Sequence, residues 1–224
     1  MSGRKHLNPV SSVRPMQPLL SRFLESFITS TTMPGIIGRK VGMTRIIVDD
    51  GSVIPVSVIE CMPNEVVHVK TAEKDGYPAL VLGFDALKKP KKTKKFYEVG
   101  EFHLDAPSEA KKGDHVTVES FNGVKEVRIT GFAKGRGFSG VIRRHHFHSG
   151  PSSHGSHHHR EPGSASGARS GTGRVPKGKR YPGHMGTQKV TNWTPLVAIH
   201  SDKNLLVVKG SIPGAPNGII RISA

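Results

Sequence analysis

Seven histidines crowd into the fifteen residues from His145 to His159: His145, His146, His148, His154 and His157 to His159. Imidazole is the commonest protein metal ligand, so a metal centre is the first chemistry to weigh. The supporting ligands are missing. The chain has one cysteine, Cys61, far away in an apolar run, and Glu161 is the sole acid between Gly131 and Lys189. The spacing fits no zinc signature such as H-E-x-x-H. These histidines read instead as hydrogen-bond donors and stacking surfaces on a polar segment, and no metal is expected.

Two glycine patterns invite nucleotide chemistry. Gly135-Arg136-Gly137-Phe138-Ser139-Gly140 matches G-x-G-x-x-G behind a candidate strand, Val127 to Thr130. The next stretch, Val141 to Ser149, carries two arginines and three histidines where an amphipathic helix belongs, and no acid stands at the distance a ribose needs. Gly173 to Lys179 reads G-x-x-x-x-G-K, but Arg180 occupies the place of the magnesium-binding Ser or Thr and Pro176 stiffens the loop. A nucleophile, base and orienting acid cannot be assembled convincingly either, because acids are almost missing where Ser and His cluster. The residues therefore predict no enzyme, no cofactor and no small-molecule substrate.

Charge points elsewhere. Lys and Arg number 33 against 17 Asp and Glu, a formal net charge of +16, which suits a polyanionic partner. No run approaches the ~18 consecutive apolar residues of a spanning helix, so nucleic acid is favoured over membrane. The imbalance concentrates between Gly131 and Lys189, where eleven Lys and Arg, eight histidines and thirteen glycines accompany the single acid. Apolar residues there are too sparse for a core, and such a segment orders itself most readily against phosphates that neutralise it. Glycine permits close backbone approach, while arginine offers a planar fork to phosphate and a face to bases.

The elements that must position this segment are strands. From Gly35 to Thr130 short Val- and Ile-rich runs alternate with turn chemistry, clearest at Ile54 to Glu60, Val66 to Lys70, Ala79 to Phe84, His115 to Phe121 and Val124 to Ile129. The pattern resumes at Asn192 to Ile199, Leu205 to Lys209 and Gly218 to Ile222. Short strands with close turns suggest a barrel or sandwich. Between the third and fourth strands lies Lys88 to Lys95, six lysines in eight residues, read equally as a solvated loop or a phosphate contact. Cys61 has no disulfide partner, which fits a reducing compartment.

Residues 1 to 32 are basic and rich in Ser and Thr, with Leu19, Leu20, Phe23, Leu24, Phe27 and Ile28 at helical spacing. They suit an organellar presequence, a docking extension, or a stretch preceding a true start at Met33. The expected division is 1–32 as this extension, 33–130 as the first part of a β-barrel domain, 131–189 as an extended arm, and 190–224 as strands completing the barrel.

From Met33 onward the chain resembles the bacterial-type large-subunit ribosomal protein L three family. The resemblance rests on Gly35 to Thr44 (GIIGRKVGMT), Gly131 to Arg144 (GFAKGRGFSGVIRR), His154 to Ser164 (HGSHHHREPGS), Gly173 to Gly186 (GRVPKGKRYPGHMG) and Asn204 to Gly214 (NLLVVKGSIPG). It implies a mainly β fold, a translation-protein-type barrel interrupted by the basic extension, with few short helices. It further implies a structural constituent of the cytoplasmic large subunit, or of an organellar one if residues 1–32 are a presequence. The partners implied are 23S rRNA and neighbouring ribosomal proteins, with an extension reaching towards the peptidyl-transferase region and an early role in assembly. Within the matching motifs Lys134, Arg136, Arg143, Arg144, His154, Arg160, Arg174, Lys177, Lys179, Arg180 and His184 are the implied rRNA-binding residues. Some members carry a methylated glutamine in the extension; here Ala168 and Arg169 hold that neighbourhood, so the modification is not expected. The triple histidine 157–159 and Pro176 also depart from the family pattern.

Overall fold

In the computed structural model residues 35–108, 110–164 and 175–224 are described. The apolar stretch Leu19 to Ile28 and the implied site residue Arg174 lie outside them. Twelve strands, two short α-helices and two 3-10 turns make the described chain mainly β.

Six strands close into an antiparallel barrel in the order β1 (Ile36–Ile47), β12 (Ile219–Ser223), β7 (Glu126–Phe132), β10 (Lys189–His200), β11 (Leu205–Lys209) and β2 (Val53–Glu60), which returns to β1. Full closure leaves the barrel no unpaired edge strand. β1 can serve both neighbours because it bends: Ile36 to Arg39 pair with β12, Arg39 to Ile47 with β2, and the register slips between Lys40 and Gly42. A bulge of this kind re-aims a strand at a barrel corner.

The remaining strands do not enter the barrel. β3 (Asn64–Lys70), β4 (Ala79–Ala86), β5 (Phe96–His103) and β6 (His115–Val116) form a four-stranded sheet in the order β5-β4-β3-β6, with α1 (Ala72–Asp75) joining β3 to β4. The run expected as one strand from His115 to Phe121 is a strand only at its first two residues; Val118–Phe121 is a 3-10 turn. Its Val118 and Phe121, three apart, come to one side in that geometry, and both are fully buried.

Two cores result, and β1 is the wall between them. Ile36 belongs to the barrel core with Ile59, Phe121, Ile129, Leu206 and Ile222. Its neighbour Ile37 belongs to the second, with Val66, Leu80, Leu82, Phe84 and Phe102. Successive strand residues face opposite sides, so one peptide bond separates the two clusters. Buried Asn64 reinforces the joint, its Nδ2 donating to the Ile37 carbonyl at 3.2 Å.

The basic segment is mounted between β7 and β10, which are themselves paired from Glu126 opposite Pro195 up to Phe132 opposite Lys189. It therefore leaves and re-enters the barrel side by side, as an enlarged hairpin loop.

Candidate nucleic-acid interface at the root of the extension

The segment expected to have no core of its own begins with regular structure. β8 (Gly137–Ser139) pairs antiparallel with β9 (Gly183–Met185), Gly137 opposite Met185 and Ser139 opposite Gly183. Backbone bonds continue this ribbon to the barrel, from Arg136 N to Met185 O at 2.9 Å and from Ala133 N to Gln188 O at 2.9 Å. After β8, α2 (Val141–His145) makes one helical turn, ended by His146 in the left-handed conformation at φ 59°. The G-x-G-x-x-G stretch thus leads into a single turn of helix where the sequence shows no amphipathic helical run; the turn buries Val141 alone.

This turn clamps the returning chain. Arg144 Nη1 donates to the Tyr181 carbonyl at 2.8 Å, and His145 Nε2, 3.0 Å from the same oxygen, is its second donor. The close approach depends on Gly183, where a Cβ would stand 2.6 Å from Arg144 Nη1. Farther out, Gly150 N donates to the His159 carbonyl at 2.9 Å and His159 Nδ1 to the Pro151 carbonyl at 2.8 Å, while His158 meets Glu161 at 2.5 Å. The histidine run thus folds back on itself as a small loop. Among the described residues no group of three or more His, Cys, Asp or Glu is gathered as for a metal ion.

Between the ribbon, the barrel rim and the 211–214 loop lies a cleft of about 640 Å³. Lys40, Lys134, Arg136, Arg144, His145 and His184 line it, and among the described residues no carboxylate does. Four of the implied residues, Lys134, Arg136, Arg144 and His184, are thus brought together. Arg143 is exposed on α2, while His154, Arg160, Lys177, Lys179 and Arg180 are exposed along the loops that precede β9.

Lys40 and His145 were not anticipated as part of the site. Lys40 is buried at the bulge of β1, and its Nζ donates to the Ile212 carbonyl at 2.9 Å and the Gly214 carbonyl at 3.3 Å. Burial, and then the charge of Lys134, hold its pKa below the ordinary lysine value. A buried ammonium beside a second cation leaves a field that an anion would relieve. The implied motifs contain Lys40 only as part of the opening stretch; its place under the cleft arises from the barrel's closure. Cys61, by contrast, is fully buried beside the barrel core, and loss of solvent pushes its thiol pKa far up, which makes it inert.

A closed β-barrel that mounts a cationic, nearly acid-free hairpin, with its cations converging on a carboxylate-free cleft, defines a protein built to hold a polyanion. No family model matches the sequence. Individual relatives are unambiguous: large ribosomal subunit protein uL3 of Lactobacillus delbrueckii subsp. bulgaricus is 43% identical over 205 residues, covering 85% of this chain and 96% of the relative. The uL3 of Pelotomaculum thermopropionicum is 43% identical over 201 residues, 84% and 95% of the two chains. Protein uL3c of Emiliania huxleyi is 40% identical over 203 residues, 85% and 98%. This chain belongs to the uL3 family of large ribosomal subunit proteins.

Proposed function

We propose that this protein is a structural constituent of the large ribosomal subunit of the cytoplasmic ribosome, not an enzyme, and that it binds 23S rRNA directly through the extension. The observation that carries the reading is the root of the extension, where Lys40, Lys134, Arg136, Arg144 and two histidines surround a cleft without a carboxylate. A phosphodiester seated there would be met by guanidinium forks and ammonium groups at once, and counterion release would add to the free energy. The exposed Arg143, His154, Arg160, Lys177, Lys179 and Arg180, with Arg174 between them in sequence, extend the same chemistry outward along the loop.

The barrel serves as the mount. An extension rooted in two neighbouring strands projects from a fixed base, which suits a role in which its tip reaches through rRNA towards the peptidyl-transferase region while the barrel stays outside among neighbouring ribosomal proteins. An element that crosslinks several RNA segments is also suited to binding early and nucleating assembly. Sucrose-gradient separation of lysate at near-physiological salt, with quantitative mass spectrometry, tests the reading. About one copy per mature large subunit is the expected result. Recovery only with free RNA or precursor particles would make it an assembly factor and sink the structural role.

A further inference from the structure

We propose a second, independent RNA contact on the four-stranded sheet: a lysine-rimmed cleft beneath the 88–95 insert that takes the phosphates of a single RNA strand and stacks a base on Tyr97. It rests on the ribosomal reading only for its choice of polyanion.

The insert is built, not loose. Leu87 N donates to the Lys95 carbonyl at 2.9 Å, and Lys91 and Lys94 exchange backbone bonds at 2.9 and 3.2 Å, so a turn fixes the lysines between β4 and β5. Against the sheet face this turn leaves a cleft of about 420 Å³. Among the described residues Lys92, Lys94, Lys95 and Lys112 line it, with Glu65 the one carboxylate, and none of the extension contributes. A solvated lysine run would spread its charges apart; here four converge on one concavity.

The floor tells which polyanion fits. Tyr97 is 52% exposed and Val99 45% exposed within the cleft, an aromatic and an aliphatic side chain left in water on a sheet. Lys94 Nζ stands 5.8 Å from the centroid of the Tyr97 ring. A cation poised at an exposed aromatic, with further cations along the rim, is the arrangement that receives a base on the ring and its phosphates alongside. An acidic peptide would use the lysines and leave the ring idle.

The test uses the full chain and a 12-nucleotide oligouridylate carrying one 4-thiouridine, with near-ultraviolet crosslinks mapped by mass spectrometry and crosslink yield at residues 92–99 followed against RNA and salt. Crosslinks within 92–99 are expected. The triple substitution Lys92→Gln, Lys94→Gln, Lys95→Gln should lower the salt slope of that site by about 2, roughly 0.7 for each single-strand phosphate that no longer meets a lysine. Tyr97→Leu should weaken it about tenfold and leave the slope alone. No crosslink in 92–99, or an unchanged slope in the triple variant, overturns the proposal. Displacement by a polyglutamate peptide together with an unaffected Tyr97→Leu variant also overturns it, in favour of an acidic protein segment. Arg143→Ala tests the other reading separately: if that variant binds rRNA normally while the 92–99 crosslinks persist, the cleft stands and the extension does not.

Discussion

Arg143 and Arg144 are adjacent in sequence, yet the fold gives them different work. Arg143 is exposed on α2, whereas Arg144 is half-buried and already bonded to the Tyr181 carbonyl. Arg143→Ala should therefore act on RNA alone, lowering the steepness of the salt dependence of rRNA binding by up to about one unit with stability unchanged. Arg144→Ala should do this and also leave the Tyr181 carbonyl with His145 alone as donor, costing the root of the extension about 1 kcal/mol, the net worth of one hydrogen bond. Filter binding across a salt series and hydrogen exchange at residues 181–187 separate the two effects. Equal loss of protection in both variants would mean that the clamp is not Arg144's.

At the scale of elements the β8–β9 ribbon is the part most open to a single substitution. Gly186 has φ 83°, and a Cβ there would lie 2.1 Å from the Lys134 carbonyl oxygen, backbone that cannot swing aside. Gly186→Ala should force the two roots of the extension apart, with loss of amide protection at Ala133, Arg136 and Thr187 and retention at Val127, Ile129 and Ile220 in the barrel. Retained protection at the roots would show that the ribbon can shift as a unit. How far such elements can be read from residues alone varies with their pattern. β2 and β11 are dense in Val, Ile and Leu, and both are legible. β1 is visible only as a motif, because Gly38, Lys40 and Gly42 interrupt its apolar alternation for the sake of the bend. β5 escapes because Glu98 shares the face of Phe96, Gly100 and Phe102, while Tyr97, Glu101 and His103 alternate with them, too polar a run to stand out. Val118 and Phe121 read as strand, since spacing of three over so short a run does not declare a 3-10 turn. For the site, the cations of the extension declare themselves through the absence of acids, and the cleft does not. Lys40 joins it from 94 residues before Lys134, and only closure of the barrel brings them together.

For the whole molecule, the side-by-side exit and return at Phe132 and Lys189 make the extension an insertion between paired strands. Replacing residues 134–187 with a two-residue turn such as Asn-Gly should leave the barrel folded, with a melting temperature within a few degrees of the parent, because shortening a loop lowers its closure entropy. Salt-sensitive rRNA binding should fall sharply. A barrel that fails to fold without the extension would show that Val141 and the clamp hold up more than the loop. The same topology also sets a timetable. The sheet of residues 64–116 is contiguous and can form as soon as it is made, whereas β1 must wait for Ile219–Ser223 before it has both partners. Throughout synthesis of the later strands the cationic hairpin has already been made while its mount is still open. RNA that captures the hairpin in that interval would hold an unfinished protein, and the final seam between β1 and β12 would then close in place, with the RNA already bound.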